Sequence, residues 1–272
     1  MTLAIVTGSS AGLGFHTASG LAKLNYDRIV VTSRSLARAT QATKKLALLN
    51  PRVEYLPAEL QLHDLEQVQA FAEWCKATHG NWDLLVNNAG AKIEHPTKLT
   101  RQGFEWHYGV NHLAHFALTS WLRPASNSGS RVVVNASIVA RKGKSELWRD
   151  ARMANTSQQY DASKLANLCF ALELNSRGYL EATAAHPGFA RAEAYGNLGI
   201  RIAEYLFAQS ARSGAKPIIR ACEKDVAAGT YWGPRVLQMW GQPIEVPIPK
   251  LASIENRRLL WEVSEQQLGF KF

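Results

Sequence analysis

The chain has 272 residues, 46% hydrophobic and 19% charged, enough to bury the core of one large α/β domain or of two small ones. Its 31 Lys and Arg against 22 Asp and Glu leave a formal charge of +9, but the densest basic cluster, 141–144 (RKGK), is short and carries no interleaved aromatics. That speaks against a nucleic-acid interface and for a solvated basic surface that helps draw an anionic cofactor. No apolar run approaches a membrane span, the first one is too short for a secretory signal, and the three cysteines form no CxxC, so a reduced cytoplasmic protein is expected.

Strands are expected at 2–7, 28–33, 52–56, 82–87, 131–136 and 180–185, with helices between them at 13–25, 35–49, 64–79, 101–122 and 158–177. The strands are nearly continuous apolar runs, as when helices cover both faces of a parallel sheet. Strand–helix alternation of this kind predicts a doubly wound α/β fold of about seven parallel strands in a single domain, 1–272. After Pro187-Gly188 the strand character is lost. The segment 191–225 is expected to be a substrate-binding lid, although its mixed aromatic and basic helix at 200–207 also suits a membrane surface. A strand-like run at 229–232, a Pro-rich loop through Pro243, Pro247 and Pro249, and a closing helix at 254–267 complete the chain.

The turn 7–14 (TGSSAGLG) follows the first strand and opens the first helix. Its glycines let the chain turn sharply and let backbone N–H groups approach a pyrophosphate on the positive helix end. The strand-before, helix-after setting gives such a turn its weight and makes the expected fold a Rossmann fold, with a dinucleotide at the carboxyl ends of its strands. The second strand ends at Ser33-Arg34, where the adenosine ribose lies in such folds. An acidic residue there would bind a 2′-hydroxyl, but no Asp or Glu stands between Ile29 and Gln41, and Arg34 and Arg38 lie four apart at a helix start. Two guanidinium groups near one phosphate bind it strongly, so NADP(H) is expected over NAD(H). The other reading of the pair is two solvated surface arginines.

Tyr160 and Lys164 (160–164, YDASK) stand at i and i+4, on one helix face one turn apart. A tyrosine that titrates near 10 is too weak an acid for work around neutrality. An adjacent ammonium and the positive ring of an oxidised nicotinamide favour the phenolate. Together with NNAG (87–90), VNHLAHF (110–116), VVVNASIV (132–139), YDASKLAN (160–167) and HPG (186–188), the turn gives a set of motifs spread over nearly the whole sequence. In these the chain resembles the classical short-chain dehydrogenase/reductase family. The runs at 111–116, 163–167 and 260–264 are similar to its branch of retinol dehydrogenase-like and protochlorophyllide reductase-like enzymes.

The resemblance implies roles for the matching residues. Ser137 would hydrogen-bond the substrate carbonyl, Tyr160 would move the proton, and Lys164 would hold the nicotinamide ribose and lower the tyrosine pKa. Asn111 would brace a bend in its helix and hold a water leading from Lys164 to solvent. Gly8, Ser9, Ser10, Leu13 and Gly14 would contact the cofactor phosphates and ribose. Asn88, Ala89 and Gly90 would line the adenosine side, with Asn87 more a strand brace, and Pro187 and Gly188 would lie along the nicotinamide. Where the family usually has an Asp after the third strand, this chain has Glu59 before Leu60, expected to hold the adenine amino group. The Thr common after Pro-Gly is replaced by Ala190-Arg191-Ala192. The interval between Ser137 and Tyr160 is long; its Trp148, Arg149, Asp150 and Arg152 are read as a loop over the mouth of the site.

His107, His112 and His115 share one helix, but no Asp, Glu or Cys completes a metal set near them in the sequence, and no metal is expected. The expected activity is reduction of an apolar ketone or aldehyde by NADPH with transfer of the pro-S hydride, in a homodimer or homotetramer. Reduction of a conjugated C=C bond and a catalytically silent NADP(H)-binding sensor or scaffold are the alternatives.

Overall fold

The computed structural model describes residues 1–91, 98–150, 152, 156–190 and 208–272. Its strands are β1 (Leu3–Val6), β2 (Arg28–Ser33), β3 (Glu54–Glu59), β4 (Trp82–Asn87), β5 (Ser126–Asn135), β6 (Glu181–Ala185), β7 (Tyr231–Val236) and β8 (Trp240–Glu245). They form one eight-stranded sheet in the order β3-β2-β1-β4-β5-β6-β7-β8, parallel except for the antiparallel β8. The Rossmann-type fold is therefore as expected. Its strand order reverses between β1 and β4, which opens a crevice at their carboxyl ends.

Successive strand residues point to opposite faces, and both faces are covered, which is why the strands read as unbroken apolar runs. Val6, Val31 and Val86 pack with Ala18 and Leu21 of α1 (Gly12–Leu21), Leu46 of α2 (Leu36–Leu49) and Ile218. On the other face Ile5, Val30, Leu85 and Val134 pack with Val68 of α3 (Leu65–His79). Phe116 of α5 (Ala114–Leu122) and Leu168 of α6 (Thr156–Ser176) complete that layer. Each fully buried side chain of this size contributes about 1.5–3 kcal/mol.

The helix expected at 101–122 starts later. Gly103 turns at φ 80°, Leu99 bridges Glu105, and the Glu105 carboxylate caps α4 (Trp106–Tyr108) by accepting from the Tyr108 amide. A π turn at Gly109–Leu113 then joins α4 to α5. Strand β5 starts earlier than expected, because Ser126 pairs with Trp82 before an irregularity that resumes at Arg131 opposite Leu84. The Pro-rich stretch begins inside the sheet's last strand: Pro243 sits opposite Pro234 on an edge whose outer side needs no donor.

Of the expected lid, 191–207 lies outside the described residues. Its later part belongs to the core: α7 (Ala211–Gly214) and α8 (Lys216–Ala221) pack on α1, with Ile218, Ala221 and Cys222 buried. The closing helix α9 (Ile254–Leu268) is capped at one end by Ser253, which accepts from Asn256 N, and ends at Gly269 with φ 73°. Among the described residues no helix is long and apolar enough to cross a membrane.

Candidate active site

A groove of about 380 Å³ runs along the carboxyl ends of the strands. Its floor begins at the Gly-rich turn. Gly8 adopts φ 61°, a left-handed conformation that favours glycine, and a Cβ on Gly14 would lie 2.8 Å from the Ser9 Cα and 2.5 Å from the Asn88 amide nitrogen. Helix α1 starts behind Ala11, which has no side chain to cap it, and no acidic residue stands in its first turn. Its first amides are the positive helix end facing the groove.

Gly8, Ser10, Leu13 and Gly14 line the groove. Ser9 does not: it is fully buried, its hydroxyl donates to Val6 O at 2.7 Å and accepts from Thr32 N at 3.0 Å. It ties the turn to β2, while Ser10 beside it reaches Ser33 Oγ at 3.1 Å. Asn88, Ala89 and Gly90 form the opposite wall. The Asn88 amide donates to Thr7 O at 2.8 Å, and Asn87 braces α5 through Thr119 at 3.0 Å.

Arg34 and Arg38 border the far end, both exposed, and no carboxylate stands among the described groove-lining residues. Glu59 is the departure. Its exposed carboxylate accepts from Leu36 N at 3.2 Å and from Gln61 Nε2 at 2.7 Å, so it caps α2, whose N-cap Ser35 makes no side-chain bond, instead of facing the adenine end. Leu60 does line the groove, joined by Val110 and by Leu62, His63 and Trp106, which the motifs did not single out. His63 and Trp106 stack with ring centroids 5.5 Å apart.

At the other end Ser137, Tyr160 and Lys164 line one wall together with Asn135. Ser137 follows β5, accepts from Val139 N at 3.4 Å, and its carbonyl accepts from the Tyr231 hydroxyl at 3.1 Å. Lys164 is buried on α6; its ammonium donates to Asn135 O at 3.1 Å and lies 6.0 Å from the Tyr160 ring centroid. Burial pushes the lysine down to about 8. Asn111 stands just behind, inside the π turn. Its Oδ1 accepts from Ala91 N at 2.7 Å, and its amide donates to Ala91 O at 3.1 Å and to Ser163 Oγ at 3.0 Å. It thus braces the bend, with both amide hydrogens taken up by protein oxygens. The four residues expected to carry the chemistry are brought together, Asn111 from beneath.

Pro187 and Gly188 close the groove on its open side, held from behind by the β7–β8 hairpin. Met239 O accepts from Phe189 N at 3.1 Å, and Gln209 Nε2 bridges Pro187 O at 2.7 Å and Met239 O at 3.1 Å. Trp148, expected in a loop over the mouth, lies in the core instead. It is fully buried and donates to Ala162 O at 3.0 Å, while its own carbonyl accepts from Gln267 at 2.7 Å. It anchors its segment to the core, while Arg149, Asp150 and Arg152 are exposed. The histidines of the α4–α5 helix serve separate partners: His107 meets Glu105 at 2.7 Å and His112 meets Ser264 at 2.8 Å.

The family model for short chain dehydrogenases matches residues 2–198. Among curated proteins the chain is 32% identical to retinol dehydrogenase 14 of Mus musculus, over 97% of this chain and 85% of that protein. It is 29% identical to retinol dehydrogenase 12 of Homo sapiens, over 98% and 86%. Among solved structures it is similar to an uncharacterized protein from Mycobacterium paratuberculosis, at 31% identity and TM-score 0.80 over 100% of this chain and 95% of that one. It also resembles L-sorbose reductase from Gluconobacter frateurii, solved with NADPH and L-sorbose, at 21% identity and TM-score 0.67 over 85% and 93%.

Proposed function

The chain belongs to the short-chain dehydrogenase family, in its retinol dehydrogenase-like branch, and from that premise we propose that it transfers a hydride between NADP(H) and a carbonyl/alcohol pair, with Tyr160 as the acid/base. One observation carries the reading: Ser137, Tyr160 and Lys164 line the same groove whose other end is bordered by Arg34 and Arg38. The relatives' names speak of alcohol and carbonyl chemistry, and the sorbose reductase was solved with NADPH.

The groove fits a dinucleotide on its own terms. The uncapped start of α1 offers amides to a pyrophosphate, and the turn of Gly8 and Gly14 leaves room for it. Arg34 and Arg38, with no groove-lining carboxylate among the described residues to oppose them, suit a 2′-phosphate. Leu60, Leu62 and the His63–Trp106 stack offer apolar surface to an adenine. When bound, the nicotinamide supplies or takes the hydride.

The chain's own residues do the rest. The Ser137 hydroxyl donates to the substrate oxygen and steadies the charge that grows there. Tyr160 delivers the proton to that oxygen in reduction and removes it in oxidation. Lys164, its ammonium fixed on Asn135 O, holds ribose hydroxyls and keeps positive charge beside the tyrosine ring. Asn111 keeps Ala91 and Ser163 in place. The substrate is an apolar ketone or aldehyde.

Turnover with NADPH on a panel of aldehydes, ketones and enones, followed by product analysis, tests the reading. Tyr160→Phe should lower kcat by about 10²–10⁴-fold while NADPH still binds. Full activity in that variant, or saturation of the C=C bond with the carbonyl intact, would overturn it.

A further inference from the structure

We propose that His115 is a positioning residue whose ring ties the phosphate turn to Asn111, holding that turn in register with the catalytic end of the cofactor groove. The proposal rests on the dehydrogenase reading above. His115 lies in α5, 1% exposed, and both of its ring nitrogens are accounted for. Nδ1 is 2.9 Å from Asn111 O, and since a carbonyl only accepts, Nδ1 carries the hydrogen. Burial pushes the imidazole down to about 4, against the opposing bond to Asn111, and the Lys164 charge adds to the depression, so the ring is neutral near pH 7. Its Nε2 lone pair therefore accepts from the Thr7 hydroxyl, 3.0 Å away.

What this does to Thr7 shapes one wall of the groove. With its hydrogen given to His115, the Thr7 oxygen turns both lone pairs to the Asn88 and Ala89 amides, each at 2.9 Å. Without the imidazole the nearest other acceptor is Val86 O at 3.3 Å. On the other side, Asn111 sits in the π turn, where the Ala114 amide reaches back to Gly109 O and the regular ladder is interrupted. A side-chain donor from the next turn fixes the Asn111 carbonyl, and with it the side chain that holds Ala91 and Ser163. Gly90, next to Ala91, passes so close to the ammonium that a Cβ there would be 3.3 Å from Lys164 Nζ. A small shift of Asn111 is therefore felt at the catalytic lysine.

Three substitutions split the two ties. His115→Leu removes both. His115→Asn can still donate one turn back to Asn111 O but falls short of Thr7, whereas His115→Gln can reach Thr7 but gives up the bond to Asn111. We expect His115→Leu to lower kcat by about 10-fold or more and to raise the NADPH Kd by about threefold or more. His115→Asn should recover most of the kcat but not the NADPH affinity, and His115→Gln the affinity but not the kcat. Hydrogen exchange at the Ala91 amide, which donates to Asn111, should speed up in His115→Leu and His115→Gln and stay slow in His115→Asn, with no substrate or cofactor present.

Full kcat and unchanged exchange in His115→Leu, or equal behaviour of the Asn and Gln variants, overturns the proposal. If the leucine variant does not fold, the Asn–Gln contrast decides alone. Wild-type protein that turns over no carbonyl with NADPH would defeat the dehydrogenase reading, while the exchange measurement would still decide the tie.

Discussion

The two ends of the groove are built in opposite ways. At the catalytic end the side chains are held by other protein groups: Lys164 by Asn135 O, Asn111 by Ala91 and Ser163, and Ser137 through a carbonyl bonded to Tyr231. At the adenosine end Arg34 and Arg38 are exposed, and Glu59, expected at the adenine, caps α2. Buried groups cannot relax when a partner is lost, whereas exposed charges are screened and adjust. The difference predicts that substitutions at the catalytic end move kcat by orders of magnitude, while those at the adenosine end move cofactor affinity by modest, salt-dependent factors.

Lys164→Met should give the largest effect and a divided one. We expect kcat to fall by at least about 100-fold, since the charge beside Tyr160 is lost. Stability should rise. The lysine's folded pKa of about 8 lies below its ordinary 10.5, so the unfolded chain binds the proton more tightly and the charged form is penalised in the fold. That penalty is complete below pH 8 and fades as pH climbs from 8 toward 10.5. Asn135 O keeps a second donor, Asn167 Nδ2 at 3.1 Å, so removing the ammonium leaves no orphaned carbonyl. Thermal melts at pH 6.5 and 9.5 should show the variant ahead of wild type, by more at the lower pH. A destabilised variant at pH 6.5 would break the contrast between the two ends.

Arg34→Ala should raise the NADPH Kd by about 10-fold and leave NADH nearly unchanged, and 0.5 M salt should shrink the gap. Titration of both cofactors at two salt concentrations checks this; equal losses for both would remove the arginine from the 2′-phosphate. Glu59→Ala sharpens the comparison with the smallest effect. Loss of a cap on α2 should cost about 0.5–1 kcal/mol in denaturant melts, while NADPH Kd changes less than twofold. A large loss of affinity would instead return Glu59 to the adenine.

The sequence was most legible where spacing and side-chain direction coincide. Tyr160 and Lys164 are one helical turn apart, so their shared face follows from the period alone. Neighbours in a turn carry no such guarantee: Ser9 and Ser10 are equivalent in the motif, yet one faces β2 and the other the groove. Glu59 and Leu60 part for the same reason, on either side of a strand end. Trp148 looked like a surface residue because nothing nearby in sequence announces Ala162 and Gln267, which hold it from α6 and α9. The last strand was hidden by Pro243, which is tolerated at an edge that no sequence pattern identifies in advance.

That edge strand has a consequence for assembly of the protein in time. The hairpin between β7 and β8 turns through Leu237 and Gln238, both left-handed, and presents Met239 O to the loop that carries Pro187 and Gly188. As the chain emerges from the ribosome, the phosphate turn, Asn111, Ser137 and Tyr160 all appear before that hairpin does. The nascent chain therefore holds the catalytic groups while one wall of their groove still lacks its backing. The wall at Pro187 and Gly188 can gain the Met239 contacts only after residue 239 has been made.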